Sequence, residues 1–102
     1  MNYLAEMLDD DRIERRRQAG AKDRGDIAGL RTPFGGRIVA EVKNAAKLAL
    51  GAWLREAEIE RGNDDAEVGV VIHKRHGKAA AEHQIVSMTL RDFAVLIGGK
   101  EK

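Results

Sequence analysis

A chain of 102 residues, 43% hydrophobic and 34% charged, is expected to form one globular domain, too short for a second folding unit and too apolar to stay disordered. It has no cysteine, which excludes disulfides, thiolate zinc sites and thiol nucleophiles and leaves oxygen or imidazole to hold a metal. A formal net charge of +1 does not by itself argue for nucleic acid.

No apolar run approaches the roughly 20 residues that span a bilayer. The start, Met1 to Glu6, lacks the charged-then-apolar plan of a signal peptide, so no membrane association and a cytoplasmic location are expected. Charge is uneven along the chain. Acids gather at Glu6, Asp9, Asp10 and Asp11; Arg12, Arg15, Arg16, Arg17, Lys22 and Arg24 follow, and Lys74, Arg75 and Lys78 form a second basic group. Basic clusters divided by acids fit a polyanion binder that also holds a cation, although charge alone favours an ordinary solvated surface.

Taken in order, residues 3–8 read as a short helix with Leu4 and Leu8 one turn apart. Residues 12–18 read as an exposed strand, 19–25 as a loop and 26–30 as a second short strand. Thr32 to Gly36 is turn chemistry, and the β-branched stretch at 37–43 reads as a strand, so the two form a hairpin. Asn44 is placed to cap the longest helix, residues 45–61, on which Ala46, Leu50, Trp53, Leu54 and Ala57 recur at helical spacing. Gly62 to Asp65 ends it. Residues 68–73 form an apolar run suited to a strand buried on both faces. Gly77 marks a turn before a strand around 83–88. A last helix at 90–97 follows, near Ser87 or Thr89, with Leu90, Phe93, Ala94 and Ile97 as its apolar face.

Strand, long helix and buried strand make a crossover unit, so strands 37–43 and 68–74 are expected to be parallel neighbours joined right-handedly, with the preceding hairpin making the sheet mixed. The fold class is α/β.

On a strand, residues two apart share a face, so Glu41 and Lys43 project together, about 7 Å apart. If residues 26–30 pair with that strand, Asp26 approaches Glu41, placing two carboxylates and an ammonium around one pocket. Paired carboxylates repel unless bridged by a cation, and Mg2+ takes one or two carboxylates together with waters and phosphate oxygens. Such a site hydrolyses a phosphodiester, with Lys43 orienting the water or neutralising charge in the transition state. Glu-x-Lys alone is an ordinary strand ion pair. The upstream Gly-Asp, the turn and the following helix give it weight.

Gly25-Asp26 followed by Glu41-Val42-Lys43 resembles the PD-(D/E)XK nuclease superfamily in its Gly-Asp form, and the order of elements is similar to the restriction-endonuclease-like fold, a mixed sheet flanked by helices. Residues 23–29, 41–44, 53–58 and 70–75 resemble small actinobacteriophage proteins described as Holliday-junction-resolvase-like, over about residues 12 to 97. The resemblance implies Mg2+-dependent (or Mn2+-dependent) cleavage of branched DNA, such as four-way junctions, by a phage-encoded homodimer. Asp26 and Glu41 are then metal ligands, the Val42 carbonyl a further one, and Lys43 the catalytic lysine.

Such nucleases carry another acid on an N-terminal helix, which here looks shortened. Glu6 is the stand-in, with Glu14 as the other option, against a plain solvent-facing Glu6. A binding module for DNA or protein on the same fold, weak or inactive in cleavage, is the alternative function. Arg15, Arg16, Arg17, Arg24, Lys74, Arg75 and Lys78 are the candidate DNA-backbone contacts. Trp53 reads as a core anchor rather than a stacking platform, Glu56 as an exposed helix acid that can otherwise support Lys43, and His73, His76 and His83 as surface or sheet residues without zinc spacing.

Overall fold

A computed structural model describes residues 2–15 and 27–100. Its centre is a three-stranded mixed sheet of β3 (Ile38–Lys43), β4 (Val68–His73) and β5 (Ile85–Ser87), with β4 in the middle. β3 and β4 are parallel, Ile38 opposite Val68 through Lys43 opposite His73, as a strand–helix–strand connection requires. β5 runs antiparallel to β4. The sheet is therefore mixed, but through β5 rather than through the preceding hairpin. The short strands β1 (Glu14–Arg15) and β2 (Ile27–Ala28) pair with each other as a separate antiparallel ribbon.

The link from that ribbon to β3 is local. Leu30 accepts from Ile38 N at 3.1 Å, and Arg31 bridges Arg37 across the turn. Thr32 holds the turn, its hydroxyl accepting from Gly36 N at 3.0 Å and Phe34 N at 3.2 Å. Gly29, at φ +90, redirects the chain where a Cβ would stand 2.7 Å from the Arg12 carbonyl oxygen.

Two cores lie on opposite faces of the sheet. Ala40, with Ile38 and Val42 beside it, joins Val68, Val70, Ile72, Ile13, Ile27 and Leu30 on one face, where α1 (Asn2–Leu8) packs through Leu4 and Ala5 and α3 (Leu90–Leu96) through Val95 and Leu96. On the other face Val71 meets Trp53 and Ala57 of α2 (Leu50–Asn63). Every residue of β4 is buried, as its continuous apolar run predicts. Gly69 makes the α2 contact close, since a Cβ there would lie 2.9 Å from the Ala57 carbonyl oxygen.

Two helices depart from the sequence reading. α2 begins at Leu50, not 45, with Ala49 as its cap residue and no side-chain cap, so Asn44 does not cap it. Residues 44–49 are exposed and run past the end of β3, where an apolar helical face has no sheet to cover, and short helices owe their stability to such packing. At its other end α2 runs through Gly62 and Asn63, two residues past the expected 61, and then stops: Asp65 takes φ 51 and Ala66 N bonds the Arg61 carbonyl at 2.9 Å.

α3 is rotated from the expected face. Leu90, Phe93 and Ile97 are exposed, whereas Asp92 is 1% exposed and Val95 and Leu96 turn inward. The rotation follows Asp92, which accepts from Arg91 Nη1 at 2.6 Å and from Gly69 N at 3.4 Å, while Thr89 caps the helix by accepting from Asp92 N. The last strand is shorter than expected, and His83 belongs to a 3-10 turn (Ala81–His83) before it. No helix among the described residues is long and apolar enough to cross a membrane.

Candidate active site

Glu41 and Lys43 occupy the end of β3 on the face turned to α2. Lys43 Nζ lies 3.4 Å from Glu41 Oε1 and donates to Glu56 Oε2 from the second turn of α2. The lysine is thus held between two carboxylates, one on its own strand and one on the facing helix. Its pKa is raised above the ordinary 10.5, first by the bond to Glu56, with the nearby Glu41 and Glu56 charges adding to it against partial burial. Glu41 is 9% exposed, so its charge acts in a poorly hydrated setting. Val42 points to the opposite core, in register with Ile72.

The parallel register brings in a residue that spacing does not reveal. His73 stands beside Lys43 on the same face, 6% exposed, sharing a 2.8 Å hydrogen bond with Ser87 Oγ. Its ring lies 5.4 Å from that of Trp53, at 53°. Trp53 is a core residue, 7% exposed. Glu56 is half-exposed and also engaged with the lysine, so its supporting contact coexists with a solvent-facing position.

Beyond the strand ends, residues 45–48 and the turn at Arg75–Lys78 frame a cleft of about 620 Å³ floored by Trp53 and His73. Ligands of parallel α/β sheets bind outside the carboxyl ends of the strands, which is where this cleft opens. Lys74, Arg75, His76 and Lys78 line it and all are exposed.

Other sequence-predicted residues are not gathered here. Glu6 is exposed on α1, which packs on the opposite face of the sheet from Glu41 and Lys43. Glu14 is exposed on β1. Asp26, Arg16, Arg17, Arg24 and the side chain of Arg15 lie outside the described residues. Ile27, next to Asp26, pairs with Arg15 in β1 rather than with β3.

For Mg2+, the described part of the site supplies one buried carboxylate, Glu41, at a position where an ammonium already sits between two acids. Among the described residues no group of three His, Asp or Glu side chains converges in a metal-holding arrangement. One carboxylate with waters and a phosphate oxygen is a donor set Mg2+ accepts. Comparison of the chain with protein-family models, with curated proteins and with solved structures finds no match.

Proposed function

We propose that the chain is a DNA phosphodiesterase, a structure-selective endonuclease of restriction-endonuclease-like fold acting on branched DNA such as four-way junctions. The observation that carries the reading is the Glu41–Lys43 pair, facing one way at the carboxyl end of a parallel strand and adjoining a cleft with a cationic rim. The parallel β3–α2–β4 unit, with Glu-x-Lys ending its first strand, supports the fold assignment.

In this reading Lys43 offers its protons to the phosphoryl oxygen as charge builds, and Glu41 keeps it aimed. Glu56 holds the ammonium until a phosphate competes for it. Lys74, Arg75 and Lys78 bind the flanking backbone. Asp26 and Glu41 would hold Mg2+ or Mn2+, with the Val42 carbonyl as a further ligand. Bound there, the ion supplies Lewis acidity and a more acidic water.

A two-fold homodimer would give the paired incisions that a junction needs. Its support is the edge of β5, unpaired among the described residues and bordered by a groove of about 550 Å³ between Leu50 and Leu54 of α2, Val86 of β5, and Leu90 and Phe93 of α3. An uncovered apolar groove beside an unpaired strand edge suits a self-complementary contact.

The competing reading, a non-cutting DNA-binding module, is favoured by the same lysine: Lys43 already has two carboxylate partners. Matched junction and duplex substrates with Mg2+, run beside Lys43→Ala and with a solution mass, separate the two. Junction cutting by the wild-type dimer and not by Lys43→Ala is the expected result. Tight binding without cutting assigns the binding module, and equal cutting of duplex removes the junction preference.

A further inference from the structure

The cleft beyond the strand ends combines a cationic rim, which the proposed function gives to backbone phosphates, with apolar walls that the phosphodiester chemistry does not use. Its rim is cationic on one side only: Lys74, Arg75 and Lys78 crowd a tight turn closed by Lys78 N bonding the Arg75 carbonyl at 3.1 Å, with Gly77 at φ +78. Among the described residues no carboxylate lines the cleft, and none of these three cations forms an ion pair. Like charges held this close with no counter-charge favour an anion between them.

The second feature is apolar. Leu48 is 67% exposed at one wall and Ile85 39% exposed at another, above the Trp53 and His73 rings. A flat apolar group entering the cleft would cover both while its anionic end reached the turn. A volume of about 620 Å³ lies within the roughly 300–1,000 Å³ of small-molecule sites. Inorganic phosphate would leave the apolar walls wet, and an acidic peptide would bring no flat face to them.

We propose that this cleft binds a single nucleoside monophosphate unit, its phosphate on Lys74, Arg75 and Lys78 and its base against Leu48 and Ile85. The unit is either an unpaired nucleotide of a DNA strand or a free nucleotide. The first source rests on the nuclease reading and makes the cleft the holder of an unstacked base at a branch point, next to Lys43.

The chain contains one tryptophan, and it lies at the cleft floor, so fluorescence reports occupancy directly. The full chain is titrated with thymidine monophosphate, inorganic phosphate, a hexaglutamate peptide, and duplexes with and without one unpaired thymidine. Thymidine monophosphate is expected to change Trp53 emission saturably. Its binding should weaken about tenfold or more in Lys74→Ala/Lys78→Ala, which loses two charge-assisted contacts. Ala79→Phe, an exposed change that fills the cleft and keeps every charge, should abolish the response while circular dichroism stays native.

Unchanged emission with thymidine monophosphate at millimolar concentration, full binding by Ala79→Phe, or equal binding of hexaglutamate overturns the proposal. A preference for the duplex with the unpaired thymidine, lost in Ala79→Phe, identifies the DNA strand as the source. Saturable binding of the free nucleotide by a chain that binds no DNA supports the cleft with a free nucleotide as its ligand and removes the nuclease reading. Junction cleavage with no response to thymidine monophosphate removes the cleft alone.

Discussion

Lys43 at the end of β3 donates to Glu56 on α2, which makes the candidate catalytic ammonium also the clasp between strand and helix. Two jobs on one side chain separate by pH and by mutation. Because the folded pKa of Lys43 is raised above 10.5, the contribution to stability is fully present below that value and is lost as pH rises through the higher folded value. Glu56→Gln is therefore expected to cost on the order of 0.5–1 kcal/mol at pH 7 to 9, a modest figure because Glu56 is half-exposed. The difference from wild type should narrow above pH 10.5 in urea denaturation.

The close approach of Gly69 to Ala57 predicts a packing defect rather than a charge defect. In Gly69→Ala the new methyl would sit 2.9 Å from a backbone oxygen, so α2 has to move. A loss of about 1–3 kcal/mol is expected, seen as a lower urea midpoint with an unchanged slope.

Asp92 and Thr89 set the rotation of α3, and their removal should differ in size. Thr89→Ala loses the cap bond to Asp92 N, worth about 1 kcal/mol. Asp92→Ala strips a buried acceptor from Arg91 and Gly69 N and is expected to cost roughly 2–4 kcal/mol. Thermal melts of the two variants, ranked in that order, check the assignment.

DNA affinity should fall steeply with salt. Each of Lys74→Ala, Arg75→Ala and Lys78→Ala should lower the slope of log K against log salt by about one. A slope that stays at the wild-type value in the triple variant would show that this turn does not touch phosphate.

Where apolar residues and strand propensity agreed, the sequence led to the right elements: the buried β4 and its parallel partner β3 follow from local chemistry, and the stop of α2 falls within the expected Gly62 to Asp65. Helical period alone misled twice. Residues 45–49 have the spacing of a helix but no sheet beneath them, and α3 has two faces of plausible spacing, of which the buried one contains an aspartate. The choice there was made by Gly69 N, 23 residues away, which no local pattern reports. Glu41 and Lys43 share a face because of strand alternation, which the sequence carries. His73 joins them through inter-strand register, and Glu56 through the length of the loop before α2; neither spacing is a motif.

Among the described strands β4 alone places residues in both cores, Val68, Val70 and Ile72 on one side and Val71 on the other. Its amides can meet solvent only when both layers part at once. Hydrogen exchange in Val68–His73 should therefore be the slowest in the molecule and should track global unfolding, so that these six positions measure the cooperativity of the whole chain.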